Sequence, residues 1–206
     1  MRVTIFDYGA GNLHSLAKAL EDSGMRVAIE ADPARAIEGD VLVLPGVGAF
    51  GAAIGRLGDG RVAMREAILG GLPTLGICLG MQLLFDRSEE DAGAARGLGI
   101  IAGAVTRLRA ARVPQIGWND IEATGEESAF RGSPLHVAYY ANSYVCRPAD
   151  ERTVIAWSEY DGDRFPAAVQ AGNALGVQFH PEKSSRIGVE FLRAWLRSHA
   201  RTGGAA

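Results

Sequence analysis

A short segment around Cys78 has the residue types of a nucleophile on a tight turn. The run 72–77 is apolar and strand-like, and 81–85 keeps apolar residues at helical spacing. Cys78 stands between these runs, with Gly76 before it and Gly80 after it, so it would lie on a sharp strand-to-helix turn. The partial positive charge of a helix N-terminus activates a thiol and can hold a developing oxyanion. The pattern favours a nucleophile over a buried structural cysteine, which is the commoner use of this residue.

A second segment, near the end of the chain, supplies a base and an acid. The strand-like run 175–179 ends on His180, with Pro181 next and Glu182 two residues after the histidine. A thiol nucleophile needs a base to activate it, and the base needs a third group to fix its tautomer. His180 alone would more often be structural, but its place beside an acid, in a chain with the Cys78 turn, favours catalysis. Together the three residues predict cysteine-dependent acyl transfer.

The first half of the chain alternates strands and helices, and these elements must position the two segments. Nearly apolar strand-like runs occupy 2–7, 25–30, 40–44 and 72–77, and helical patterns occupy 13–20 and 61–69. This alternation indicates a parallel sheet covered on both faces, with the active site beyond the carboxyl ends of its strands. The loops that follow Asp7, begin at Pro45 and contain Cys78 would then share one edge.

The second half is predicted to be antiparallel or mixed. Strand-like runs separated by turns occupy 105–108, 118–122, 135–145, 153–158, 167–170 and 175–179. The segments 161–163 and 171–173 are predicted to be hairpin turns. A closing helix would begin at Ser184 or Ser185, either of which could cap it, and residues 201–206 are expected to form a frayed tail.

Length and composition indicate one globular domain, over residues 1–200. The 206 residues are 48% apolar and 22% charged, and the net charge of −3 gives no reason to expect nucleic acid or a membrane as partner. Two cysteines make no disulfide framework and fit a reducing cytoplasm. The strand-like N-terminus reaches Asp7 too soon for a signal peptide, and the four scattered histidines predict no metal site.

Several motifs carry a resemblance to a known family. GICLGMQ at 76–82 and HPE at 180–182 resemble the class I (triad) glutamine amidotransferases. Four stretches narrow this to the glutaminase subunits of imidazole glycerol phosphate synthases, from histidine biosynthesis: DYGAGNL at 7–13, PGVGAF at 45–50, GWN at 117–119 and QFHPEKS at 178–184. The resemblance runs from the first strand to the last helix. It implies an α/β fold, three-layer and flavodoxin-like, with a mainly parallel central sheet and an additional antiparallel sheet in the second half.

The resemblance also implies roles for individual residues. Cys78 would attack the side-chain amide of glutamine and form a thioester, His180 would transfer the protons, and Glu182 would orient His180. The implied oxyanion hole uses Leu79 and the strand residues Gly46, Val47 and Gly48. The implied contacts to glutamine are Gln82, Ser143 and Tyr144, and the implied partner interface around an ammonia route is Asn12, Trp118, Tyr139 and Lys183.

The implied partner is a (β/α)8-barrel cyclase subunit in a heterodimer. The cyclase would use the ammonia to make imidazole glycerol phosphate and aminoimidazole carboxamide ribotide, so the complex would combine hydrolase and lyase activities. No cofactor, metal, nucleic acid or membrane is implied. The family often has histidine where this chain has Gln115 and Asn142, in the stretches 113–118 and 139–144. Both changes keep a polar side chain but remove a titratable group from segments that would signal to the partner.

Three other functions compete with this interpretation. The glutaminase of pyridoxal phosphate synthesis is also a lone triad subunit, but the opening motif 8–12 and the GWN stretch 117–119 argue against it. A nucleotide-binding loop at 9–11 lacks the third glycine of the dinucleotide motif, where His14 stands. A redox protein with a reactive cysteine would not require Glu182 after His180.

Overall fold

The structure, a computed structural model, describes residues 1–9, 13–21, 24–90, 95–125 and 129–200. The first half contains β1 (Arg2–Phe6), α1 (Leu13–Glu21), β2 (Arg26–Glu30), α2 (Pro33–Ala36), β3 (Val41–Leu44), α3 (Phe50–Leu57), α4 (Gly60–Leu69), β4 (Thr74–Ile77), α5 (Leu79–Leu83) and β5 (Phe85–Ser88). The second half contains β6 (Ile101–Arg107), β7 (Gln115–Asp120), β8 (Glu122–Ala123), β9 (Val137–Asn142), β10 (Tyr144–Pro148), β11 (Val154–Tyr160), β12 (Asp163–Ala171), β13 (Ala174–Val177) and α6 (Ser185–Ala200). Short 3-10 helices lie at Glu151–Thr153 and Pro181–Lys183.

The central sheet has eight strands in the order β2-β1-β3-β4-β13-β12-β11-β8. Strands β2 to β13 in this order are parallel, and the pairs from β13 to β8 are antiparallel. All four residues of β4 and of β13 are buried, as expected for strands covered on both faces. In this register Val177 lies opposite Ile77, so the chain leaves both strands side by side at the same edge.

Two hydrophobic cores lie on opposite faces of the central sheet, which gives three layers. One core contains apolar residues of α1 and α6, such as Leu20, Phe191 and Leu196. The other contains residues of α3, α4 and α5, such as Phe50 and Met64. The predicted α/β architecture is thereby confirmed. None of the described helices has both the length and the apolar character needed to cross a membrane.

Two small sheets accompany the central one. Strands β10, β6 and β5 form the first, in which β10–β6 is antiparallel and β5–β6 is parallel. Strands β7 and β9 form an antiparallel pair, with Trp118 opposite Tyr139 and Gln115 opposite Asn142. The expected additional antiparallel sheet of the second half is therefore present.

Several local predictions are confirmed and others are wrong. Both hairpin turns are present, with positive φ at Asp161 and Gly162 in one and at Gly172 in the other. The helical pattern at 81–85 is wrong in extent, because α5 ends at Leu83 and Phe85 begins β5. Short apolar runs of this length suit either element, and pairing with β6 decided the outcome.

The other errors concern the second half. The run 135–145 is not one strand, because it breaks at Ser143 into β9 and β10, which belong to different sheets. The run 118–122 breaks in the same way at Ile121, into β7 and β8. The predicted start of the closing helix at Ser184 or Ser185 is confirmed, because α6 begins at Ser185. The Ser184 hydroxyl does not cap this helix, since it donates to the carbonyl of His180 and accepts from the N–H of Tyr139. The predicted tail at 201–206 lies outside the described residues.

Candidate active site

Cys78 occupies a strained turn between β4 and α5. Its φ of 49° and ψ of −102° are values that a residue with a side chain rarely adopts. A Cβ on Gly76 would come within 2.6 Å of the Gly80 carbonyl group, and a Cβ on Gly80 would overlap the carbonyl oxygen of Leu44. The two glycines therefore permit the close backbone packing that this turn requires.

His180 and Glu182 lie beside Cys78 at the end of β13. Nδ1 of His180 is 2.9 Å from Oε1 of Glu182, and the His180 side chain is only 1% exposed. Burial opposes a charge on this imidazole, but interactions with Cys78 and Glu182 outweigh it and raise the pKa of His180 to about 9. Nε2 of His180 makes no hydrogen bond to the described residues, so it is available to exchange a proton with the thiol or a substrate.

A cavity of about 210 Å³ opens next to the Cys78 side chain. Its walls are formed by Gly46, Val47, Gly48, Cys78, Leu79, Gln82, Glu90, Ala141, Asn142, Ser143 and Tyr144. All of the residues assigned from the sequence to an oxyanion hole or to glutamine contacts are among them. The structure therefore brings these residues together with the nucleophile.

The segment 45–48, expected to be part of a strand, is a loop that follows β3, and it packs directly against the triad. A Cβ on Gly46 would lie 3.0 Å from Cε1 of His180 and 3.1 Å from Cβ of Cys78. Gly48 has a φ of 132°, which glycine adopts readily. Leu79 is the first residue of α5, so its backbone N–H has no acceptor within the helix. The backbones of the loop 45–48 and of the start of α5 therefore border the same cavity.

The far wall of the cavity is held in place by amide side chains. Nε2 of Gln82 and Nδ2 of Asn142 each donate to the Tyr144 carbonyl at 3.1 Å. Glu90 was not identified from the sequence, because it lies in a polar run with no motif. Its Oε2 accepts from the backbone N–H of Phe50 at 2.8 Å, which places a carboxylate on the cavity wall.

Three of the four predicted interface residues lie near the triad. Trp118 is 57% exposed and makes an edge-to-face contact with Tyr139, with ring centroids 6.3 Å apart. Lys183 is exposed in the 3-10 helix after His180. Ile116, which the sequence did not suggest, is 66% exposed two residues from Trp118 on the same face of β7. Asn12 lies outside the described residues.

No metal site accompanies the triad in the described ranges. Within them, no three His, Cys, Asp or Glu side chains lie close enough to hold a metal ion.

Comparison with known proteins supports the family seen in the motifs. The glutamine amidotransferase class-I family matches residues 4–197. The imidazole glycerol phosphate synthase subunit HisH of Symbiobacterium thermophilum is 44% identical over 200 residues, which cover 95% of this chain and 93% of the relative. The same-named protein of Thermus thermophilus is 44% identical over 194 residues, covering 93% and 95%.

A solved structure shares the fold at lower identity. A glutamine amidotransferase from Thermotoga maritima superposes with a TM-score of 0.71 at 19% identity, covering 98% of this chain and 98% of the other. The chain therefore belongs to the class-I glutamine amidotransferase family, among the HisH subunits of imidazole glycerol phosphate synthases.

Proposed function

We propose that this chain is the glutaminase subunit of an imidazole glycerol phosphate synthase, which hydrolyses glutamine to glutamate and ammonia for histidine biosynthesis. The observation that carries the proposal is the buried pairing of His180 with Glu182 at 2.9 Å beside Cys78 on its strained turn. The full-length similarity to HisH subunits supports this enzyme over other amidotransferases.

In the proposed reaction the sulfur of Cys78 attacks the side-chain carbonyl carbon of glutamine. The thiol proton passes to Nε2 of His180, and the tetrahedral intermediate collapses when His180 returns that proton to the leaving nitrogen as ammonia. Water then attacks the thioester, with His180 as base, and releases glutamate and the thiol. Glu182 holds Nδ1 throughout, which fixes the tautomer and stabilises the imidazolium.

The oxyanion of the intermediate would be stabilised by backbone N–H groups. The Leu79 N–H at the start of α5 would be one donor, and the loop of Gly46, Val47 and Gly48 after β3 would supply the other. That segment contributes through its backbone alone, so its conformation must present an N–H to the cavity. Removal of one such donor typically costs about 10²–10³ in rate.

Recognition of the substrate would use polar residues that line the cavity beside Cys78. The Glu90 carboxylate is suited to the α-ammonium group of glutamine, because opposite charges in a partly enclosed cavity attract strongly. Gln82, Ser143 and Tyr144 line the same cavity and would contact the amino-acid end of glutamine. The Glu90 carboxylate would favour free glutamine, which carries an α-ammonium group, over an amide without a positive charge.

The proposed partner is a (β/α)8-barrel cyclase, which would receive the ammonia. Its docking surface would include Trp118, Tyr139 and Lys183, since exposed aromatic residues are typical of interface centres. Asn12 belongs to the same proposal on the basis of the sequence motif. The ring-forming lyase step is assigned to the cyclase, so this chain contributes the hydrolase half.

The proposal extends to a cytoplasmic location and to a single domain over residues 1–200. Cys78 and Cys146 are both free thiols, as expected in a reducing compartment. The family match from residue 4 to residue 197 supports one continuous domain.

The test is an assay of glutamate formation by the purified chain, alone and with the cyclase plus its nucleotide ligand. The chain alone is expected to be slow, and the cyclase complex is expected to be faster by at least about 10²-fold, because half of the oxyanion hole depends on the segment 45–48. Full activity without the cyclase, or stimulation by a pyridoxal phosphate synthase instead, would overturn the assignment. Absence of turnover in every combination would favour the redox alternative.

A further inference from the structure

The side chain of Gln178 contacts the nucleophile without lining the cavity beside it. Its Nε2 lies 3.5 Å from Sγ of Cys78, and the residue is completely buried. Its Oε1 is also buried and has no hydrogen-bond partner in the described part of the chain. The amide nitrogen therefore contacts the sulfur, and the amide oxygen is left without a hydrogen bond to the described residues.

The sheet fixes the two residues relative to each other. Val177 and Ile77 are opposite each other in β13 and β4, and Gln178 and Cys78 are the next residues of each strand. The backbone N–H of Cys78 donates to the Val177 carbonyl at 2.6 Å, and that of Gln178 donates to the Ala167 carbonyl at 2.8 Å. Contact between the amide and the sulfur therefore requires no rearrangement of either strand.

Besides His180, whose interaction with Cys78 is described above, the sulfur has two neighbours that favour different protonation states. The carbonyl oxygen of Ala141, 4.0 Å away, can only accept and therefore favours the thiol. Nε2 of Gln178 can only donate, and a donor interacts more strongly with a thiolate than with a neutral thiol. The shorter of these two contacts is the one that favours the thiolate.

Folding alone gives no reason for a glutamine at this position. A buried carbonyl without a partner destabilises the folded state, and an apolar side chain of similar volume would avoid that cost. Among the described residues, the one polar contact of the Gln178 side chain is the contact of its Nε2 with Sγ of Cys78.

We propose, on the basis of the glutaminase function above, that Gln178 is a catalytic residue whose side-chain N–H stabilises the thiolate of Cys78. When the thiol proton moves to Nε2 of His180, the sulfur keeps its electron pair and accepts the Gln178 N–H. The same donor meets the sulfur again when hydrolysis of the thioester releases it as a thiolate.

The experiment measures the rate of alkylation of Cys78 by iodoacetamide as a function of pH, with peptide mass spectrometry to restrict the signal to Cys78. Gln178→Met keeps the side-chain length and removes the donor. We expect the midpoint of the pH–rate curve to rise by about one pKa unit, which lowers alkylation about tenfold below the midpoint and leaves the high-pH plateau unchanged. Gln178→Asn, which shortens the side chain, should raise the midpoint as well and serves if the methionine variant does not fold.

Gln115→Met is the matched control, because Gln115 is 2% exposed and its Oε1 is also unpaired among the described residues. This control should leave the midpoint unchanged. An unchanged midpoint in the Gln178 variants would overturn the inference. A lowered midpoint would also overturn it, since it would mean that the amide oxygen, not the N–H, faces the thiol.

Alkylation does not require glutamine turnover, so the two proposals fail separately. A wild-type chain with no glutaminase activity but a shifted midpoint in Gln178→Met would reject the function and keep the thiolate contact. If the wild type is active and Gln178→Met has the midpoint and kcat of the wild type, the thiolate contact is rejected and the glutaminase function stands. The expected result is a lower kcat at neutral pH with little change in KM for glutamine.

Discussion

The backbone N–H of His180 donates a hydrogen bond of 2.8 Å to the carbonyl oxygen of Tyr139. Tyr139 lies on β9 and contacts the exposed ring of Trp118, so the triad base is bonded directly to the strand that carries the proposed docking surface. A shift of β9 on partner binding would therefore reach His180 through a single hydrogen bond. This connection gives a physical basis for control of the triad by a partner.

Ser184 supports the same connection, and Ser184→Ala should weaken it. Its buried hydroxyl bonds the Tyr139 N–H at 2.9 Å and the His180 carbonyl at 2.7 Å. Loss of this hydroxyl leaves two backbone groups without that partner, so we expect the free energy of unfolding to fall by about 1–3 kcal/mol in urea titrations. Ser198→Ala, which removes a hydroxyl from the exposed face of α6, should change it by less than about 0.5 kcal/mol. Equal effects of the two variants would contradict this role.

Cys78→Ala should abolish glutamine hydrolysis and leave the fold intact. The loss follows from removal of the nucleophile, and His180→Ala should be comparably severe because triad members act as a unit. The measurement is ammonia release, with circular dichroism as the check on folding. The glutamine analogue diazo-oxo-norleucine should label Cys78 and spare Cys146, since Cys146 is completely buried and burial raises its pKa. Substantial turnover by Cys78→Ala would reject the triad.

Gly46→Ala should disturb the site more than its small size suggests. The added Cβ would lie 2.8 Å from the Ile77 carbonyl oxygen and close to both Cys78 and His180, so the loop 45–48 must move. Overpacking of this kind costs about 1–3 kcal/mol, and we expect a severe loss of kcat as well. Gly55→Ala is the matched control, because a Cβ there meets no atom within 4 Å. That control, in the interior of α3, should be neutral or stabilising by up to about 1 kcal/mol.

The interactions of His180 with Cys78 and with Glu182 should make the free energy of unfolding depend on pH in a defined direction. A histidine with a raised pKa stabilises the fold fully below its unfolded value of about 6.5, and this contribution is lost as the pH rises through about 9. Glu182→Gln should therefore be less stable than wild type near pH 6, with the difference shrinking towards pH 10, by urea unfolding. Glu190→Gln, which breaks an exposed pair with Arg186, should show no such trend. A difference that grows with pH would contradict the assigned shift.

Trp118→Ala should weaken binding of the cyclase and leave the folded chain stable. The ring is mostly exposed in this chain, and a buried aromatic centre typically contributes about 2 kcal/mol or more, so Kd should rise by roughly 30-fold or more in calorimetry. Leu69→Ala, with a similar exposure of 55% but on α4, should leave Kd unchanged.

Lys183→Ala is expected to raise the Kd for the cyclase or the ratio of glutamate to imidazole glycerol phosphate formed. Wild-type values of both quantities in Lys183→Ala would move the interface elsewhere.

The sequence by itself determined the local features of the site. The strand, glycine and cysteine pattern at 72–80 predicted the turn that holds Cys78, because turn chemistry depends on adjacent residues. The placement of His180 at a strand end, two residues before Glu182, predicted their pairing for the same reason. The alternation of nearly apolar strands with helices also predicted the parallel half of the sheet.

Only the tertiary structure decided which distant groups meet the sulfur. The Ala141 carbonyl and the Gln178 amide are 63 and 100 residues from Cys78 in sequence, and Glu90 enters the cavity from a segment with no motif. The break of the run 135–145 into two sheets and the use of Ser184 as a bridge were likewise not predictable from local pattern. Periodicity specifies which face of an element is apolar, whereas register and sheet order are set by packing between elements remote in the chain.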